Sequence, residues 1–342
     1  MNDSVPDTLR TAWETSELVE GFLRDYFSSV LQGQDELMRA CERSMAEIGL
    51  RIRPFLLRIS CHQGGLAFEK IIHVSAGIEL VQLSTLVIDD ILDESSLRNR
   101  KLSIVAEHGW KACLSIGTVM YSLGFCLISE GIEKNHHVKN GIAVVKLFSR
   151  THADIYIGQF LDLRFERDTA VTEGQYLDMI SRTTARFIQT PLVAGAMLWN
   201  APTAVIKALE GAGLALGMAF QIRDDVIDVI GETECTGKPV GGDIRRCKMR
   251  LPLIQALQVL NGDKHRRLLD IMQNESVSDQ ALSEAIGLIT ESGSIEYCIY
   301  KTKEYCKIAT DTISQLPREF TDLKDHFCVV AGWISSFEDG TS

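Results

Sequence analysis

Residues that break helices or link domains are scarce in this chain. Seven prolines are spread over 342 residues, and aromatic side chains make up 7%. No Pro/Gly/Ser-rich linker, low-complexity tract or short internal repeat divides it. Long segments instead repeat their apolar residues at helical spacing. These features predict an all-α fold: one domain over residues 1–342, with residues 1–7 flexible and a sizeable buried core. Positive charge is in deficit, at a formal net charge of −11, so general nucleic-acid binding is not expected. The nine cysteines are odd in number and form no CxxC pair. Cys61-His62 lacks the second pair that a structural zinc site needs. The cysteines read as buried thiols in a reducing, cytoplasmic setting. The opening residues are polar and acidic, unlike a signal or transit peptide. No apolar run is expected to reach 18 uncharged residues, so no transmembrane helix is expected.

What the chain does have is a pair of acidic motifs. Asp89, Asp90 and Asp93 close a mostly apolar run that includes Ser84 and Thr85. On a helix Asp89 and Asp93 share one face, where like charges cost about 0.2–0.5 kcal/mol per pair. Within apolar sequence the cost rises, so a bound cation is expected. Asp224, Asp225 and Asp228 repeat the DDxxD spacing in a second apolar segment. One such motif reads as an acidic face in solvent. Two, each followed by basic residues, do not. Arg98, Arg100 and Lys101 follow the first; Lys238, Arg245, Arg246, Lys248 and Arg250 follow the second. Carboxylate oxygens suit Mg²⁺, which keeps waters and bridges to phosphates. Carboxylates, metal and cations together describe a diphosphate site.

Periodicity and punctuation predict helices over about 8–31, 35–48, 68–93, 103–132 and 138–168. In the first, Leu9, Trp13, Leu18, Phe22, Tyr26 and Val30 form the expected apolar face. Residues 94–102 read as a polar loop. Gly49 and Pro54 place Arg51 and Arg53 at a helix entrance, where anions bind; two surface arginines are the alternative. Gln159 and Asp162 share a face, as a site or as a local polar pair. Thr172 and Glu173 open a further helix. Pro191 should kink the one over 186–199. A helix over 211–229 carries the second motif, with Gly213 and Gly217 permitting close contact. A mobile loop over 231–247 is expected to close on a phosphate. Scaffold helices fill about 248–340, with Trp333 in a core or interface.

These motifs, in this order, resemble the trans-prenyl diphosphate synthase (polyprenyl synthetase) family over about residues 45–255. Arg51-Ile52-Arg53-Pro54 resembles the family's GGKRxRP, and the two aspartate motifs have direct counterparts. Gly158-Gln159 with Asp162, Arg182-Thr183, Phe220-Gln221, and Gly237-Lys238 through Asp243 to Lys248 are similar to further family elements. The resemblance implies a single-domain antiparallel helical bundle around a central cavity, usually as a homodimer. It implies three Mg²⁺ ions, with Mn²⁺ as a substitute, and an allylic prenyl diphosphate as substrate. It implies metal ligation by Asp89, Asp93 and Asp224, with Asp228 beside them, and support from Asp90 and Asp225. Arg98, Arg182, Lys238 and Lys248 would hold the diphosphate, and Thr183 and Gln221 would flank the developing carbocation.

The departures lie in the site for the second substrate, isopentenyl diphosphate. Leu50 stands where the family has a lysine, and Asn99 where it has an arginine; Arg53 and Gln82 are kept. Arg51 and Arg100 are candidates to substitute. Losing two charge-assisted contacts at about 1.5–3 kcal/mol each would weaken the acceptor by two to four powers of ten. Three readings follow: a chain-elongating prenyl transferase, a terpene synthase that needs no second diphosphate, and a non-catalytic subunit of a heteromeric synthase. Six intact aspartates disfavour the third. Ser84 and Thr85, one turn before Asp89, are small where short-chain synthases resemble one another in carrying an aromatic. A C15 or longer chain is therefore expected to fit.

Overall fold

The structure is a computed structural model describing residues 7–45, 49–98, 101–135, 141–231, 240–274 and 276–337. Residues 1–6, Asn99, Arg100 and Gly237-Lys238 lie outside the described residues. The fold is all-α. Its elements are α1 (Asp7–Val30), α2 (Asp35–Met45), α3 (Ile52–Gln63), α4 (Phe68–Leu92), the two-residue strands β1 (Leu97–Arg98) and β2 (Lys101–Leu102), α5 (Ile104–Lys134) and α6 (Gly141–Phe165). Then come α7 (Glu173–Ile180), one π-helical turn (Ser181–Ala185), α8 (Arg186–Leu198), α9 (Thr203–Ile230) and α10 (Gly242–Arg245). The chain continues with α11 (Leu251–Val259), α12 (Gly262–Gln273), α13 (Asp279–Glu291), α14 (Ser294–Ser314), a 3₁₀ turn (Arg318–Phe320) and α15 (Thr321–Ser335). Two compact units result. The first takes Met1–Phe148, Thr190–Lys207 and Pro317–His326; the second takes Ser149–Gln189, Ala208–Leu316 and Phe327–Ser342.

In the first unit α4 is buried all round from Val74 to Val81, which explains the apolar sequence of its middle. It lies flush on α5 because glycines recur every seven residues there. A side chain at Gly117 would strike Ile88, one at Gly124 the Gly77 carbonyl, and one at Gly131 Val74. Ser103 caps α5 by accepting from the Ala106 amide at 3.1 Å. α1 buries Ala12, Val19, Leu23 and Phe27. The bulkier stripe expected inside is largely outside, with Trp13 and Leu18 more than half exposed. Both faces of α1 are apolar enough to be buried, and the one with smaller residues packs more closely.

In the second unit α7, α9, α11 and α14 share a core that includes Tyr176, Ile222, Val226, Leu251 and Cys298. Thr172 and Gln175 form a capping box at the start of α7. α9 begins at Thr203, eight residues before the expected start. Pro191 sits inside α8, and the irregular backbone lies upstream, at Ser181–Ala185.

The expectation about span-length helices needs correction. α4, α5 and α9 are long and apolar enough to cross a membrane by length and composition. Ala112–Ser129 in α5 is itself 18 residues without a charge. In α4 the uncharged run is broken by Glu79, which is buried.

Candidate active site

The first motif ends α4, and its three aspartates take different places. Asp90 is 3% exposed, whereas the Asp89 side chain is 37% exposed and Asp93 half-buried. Gln82, Thr85, Leu86, Asp89 and Asp93 mark the accessible face, at spacings of three and four residues. Beyond Asp93, Glu94 turns into the left-handed region at φ +48°. The chain then doubles back through β1 and β2, paired Leu97 with Leu102 and Arg98 with Lys101. This hairpin replaces the expected plain loop and returns Arg98 to Asp90. The Arg98 guanidinium donates to both Asp90 oxygens, at 2.6–3.0 Å. Arg98, expected on the diphosphate, is paired with Asp90 and backs the motif.

Arg51 requires a further correction. Its side chain is fully buried, with Nη1 2.5 Å from Glu79 Oε1 and Nη2 3.1 Å from the Met45 carbonyl. Glu20 stands at 3.4 Å. An arginine held inward by two carboxylates offers no fork to a phosphate. Arg53 and Gln82 are half-buried and Leu50 is exposed. Ser84 is buried, its hydroxyl donating to the Val81 carbonyl; Thr85 is half-buried.

The second motif repeats the plan. Asp224 is exposed, Asp228 half-buried and Asp225 only 2% exposed. Asp225 accepts from the Tyr176 hydroxyl at 2.6 Å and from Gln221 Nε2 at 2.8 Å. Gln221 in turn accepts from the Thr184 hydroxyl at 2.5 Å. Burial pushes the Asp225 carboxyl up to about 7, against the pull of Arg250 and its two hydrogen bonds. Burial and the Asp225 carboxylate push the Tyr176 phenol well up. Asp228 Oδ2 accepts the Asp243 amide at 3.0 Å, so this expected metal ligand also anchors α10.

Lys248, expected on the diphosphate, is 2% exposed and lies 3.1 Å from Asp162 Oδ2. Asp162, read from the sequence beside Gln159, is thus a partner of Lys248, and Gln159 is half-buried. The Arg182 side chain is 27% exposed and pairs with Asp178 at 3.1 Å and Asp154 at 3.4 Å. The adjacent Thr183 hydroxyl bonds back to the Met179 carbonyl at 3.3 Å. Two glycines seat this π-helical turn. A side chain at Gly158 would meet Thr183 and Arg182, and one at Gly217 would lie 2.5 Å from the Ala185 Cα.

Among the described residues no three His, Cys, Asp or Glu side chains gather closely enough to cage a metal. The donor set fits Mg²⁺ all the same, because that ion takes one or two carboxylates and fills its shell with water and phosphate. Asp89 with Asp93, and Asp224 with Asp228, are such pairs. Tyr176 was not singled out from the sequence, and Asp243 and Arg250 were named there only as members of the segment after the second motif, without these partners. The run of basic residues after the second motif was the one signal for Arg250.

Residues 34–289 match the polyprenyl synthetase family. The chain is 31% identical over 333 residues to the short chain isoprenyl diphosphate synthase of Methanothermobacter thermautotrophicus, covering 96% of this chain and 98% of that one. Geranylgeranyl pyrophosphate synthetase from Pyrococcus horikoshii superposes with a TM-score of 0.84 at 27% identity, over 97% and 98% of the two chains. Polyprenyl synthase from Caulobacter crescentus, solved with calcium and isoprenyl diphosphate, gives a TM-score of 0.85 at 24% identity over 97% of each.

Proposed function

Since this chain belongs to the polyprenyl synthetase family, we propose that it is a Mg²⁺-dependent trans-prenyltransferase that ionises an allylic prenyl diphosphate and passes the prenyl group to isopentenyl diphosphate. The observation that carries this is the shared plan of the two motifs. In each, the outer aspartates stand on the accessible side of their helix, while the middle one is held from behind by hydrogen bonds. Asp89, Asp93, Asp224 and Asp228 are the metal ligands in this reading. Mg²⁺ supplies charge for the departing diphosphate. Arg182, together with Lys238 from outside the described residues, adds positive charge where negative charge develops. Gln221, pinned between Thr184 and Asp225, orients the second motif. Thr183 flanks the cation.

A small residue at Thr85, on the accessible side of α4, supports a C15 or longer chain. The exposed apolar face of α5, with Trp110 and Leu114 at least half exposed, supports a homodimer. A cytoplasmic setting fits the six buried cysteine thiols among those described. A second reading, a terpene synthase, draws support from Arg51. Its burial on Glu79 removes one candidate substitute for the acceptor cations. Asp89→Asn and Asp224→Asn should each lower turnover of an allylic diphosphate by about 10²-fold or more. EDTA should abolish turnover and Mg²⁺ restore it. Full turnover in either variant, or in EDTA, would contradict the proposal.

A further inference from the structure

Arg250 lies at the centre of a buried charge network that the sequence reading left unassigned. It stands immediately before α11, with its side chain 14% exposed. Its Nη1 and Nη2 reach the two oxygens of Asp162 at 2.5 and 3.2 Å, as a fork. Its Nε lies 3.1 Å from Asp243 Oδ2 and 3.9 Å from Asp225 Oδ1. One guanidinium thus stands within 4 Å of three carboxylates, two of them at most 4% exposed. A planar fork suits this task; the point charge of a lysine cannot address several carboxylates in fixed directions.

Both ends of the network reach the second motif. Asp225 belongs to it, and the Arg250 charge lies beside the carboxylate that Tyr176 and Gln221 also hold. Asp243 is gripped by Arg250 through its side chain and donates its backbone amide to Asp228. The Gly241 amide adds a bond to the Asp228 carbonyl at 2.7 Å. These contacts hold Asp225 and Asp228, one and four residues after Asp224, and so restrain the rotation of α9 about its axis and with it the direction of Asp224. We propose that Arg250 is a positioning residue that sets the second acidic motif for its metal, acting through Asp225, Asp243 and Asp162. This rests on reading that motif as a metal and diphosphate site.

The test is calorimetric titration of the full-length protein with inorganic pyrophosphate in excess Mg²⁺, for wild type, Arg250→Lys and Arg250→Met. Thermal unfolding without metal and the Mg²⁺ dependence of turnover run alongside. Groups that orient metal ligands typically change affinity by about 10–100-fold when lost. Arg250→Met should therefore bind Mg²⁺-pyrophosphate at least about tenfold more weakly than wild type. Half-maximal turnover should need correspondingly more Mg²⁺. Arg250→Lys, which keeps the charge without the fork, should fall between. Should Arg250→Met not fold, Arg250→Lys and Tyr176→Phe carry the comparison, each expected to bind several-fold more weakly. Wild-type affinity in a folded Arg250→Met, or in both substitutes, overturns the positioning role. A wild-type protein that does not bind Mg²⁺-pyrophosphate overturns the reading of the site itself.

Discussion

Arg51 shows how a charge inside a fold answers to its partner more than to its neighbours in sequence. Glu79 sits 28 residues further along and makes the 2.5 Å contact that holds it. Removing one member of such a pair leaves the other charge buried and alone. Arg51→Ala should therefore lower stability to urea by about 3–5 kcal/mol. The double variant Arg51→Met with Glu79→Leu should recover most of that loss. A single variant within about 0.5 kcal/mol of wild type, the usual range for a surface change, would contradict the burial. The spacing of the acidic motifs was legible because helical geometry is local. The partners of Arg51 and Lys248 were not: Asp162 lies 86 residues before Lys248, and spacing carries no trace of that contact. Arg98 was legible as a residue of the motif but its bond to Asp90 was not, because the hairpin that turns it there has only two residues per strand.

At the scale of elements, close approach decides what the helices can present. Gly217 allows α9 to touch the backbone of the turn carrying Arg182 and Thr183. Gly217→Ala should cost about 1–3 kcal/mol by overpacking and lower turnover as the turn shifts. Gly287→Ala is the control, since a side chain there meets nothing within 4 Å. It should be neutral or stabilising by up to about 1 kcal/mol. Equal effects in urea melts of the two variants would contradict the packing. The accessible face of α4 also refines the chain-length expectation. Thr85→Phe should shift substrate or product towards shorter chains. Ser84→Phe should instead destabilise the α4–α5 pair, because Ser84 is buried. Unchanged product length in Thr85→Phe, read by chromatography of the released prenols, would contradict this. Helices were legible from apolar period and from signals such as Thr172 and Glu173. The buried side of α1 was not, because apolar residues occur on both of its faces.

For the whole molecule, membership of the polyprenyl synthetase family fixes the class of chemistry, while the acceptor is decided by few residues. Leu50 removes one cation of the expected acceptor site, and Arg51 is held by Glu79. Arg53 remains in the sequence, as does Arg100, which lies outside the described residues. Elongation therefore asks these two to hold the second diphosphate; terpene synthesis asks nothing of them. A non-catalytic subunit would form no product alone. The most direct measurement incubates the protein and Mg²⁺ with C10, C15 and C20 allylic diphosphates, each with and without isopentenyl diphosphate. Products are read as phosphatase-released prenols and as hexane-extractable hydrocarbons or alcohols. The account predicts longer prenols that appear only with isopentenyl diphosphate. A hydrocarbon or cyclic alcohol formed equally well without it would contradict chain elongation and identify the ionised prenyl group as its own acceptor.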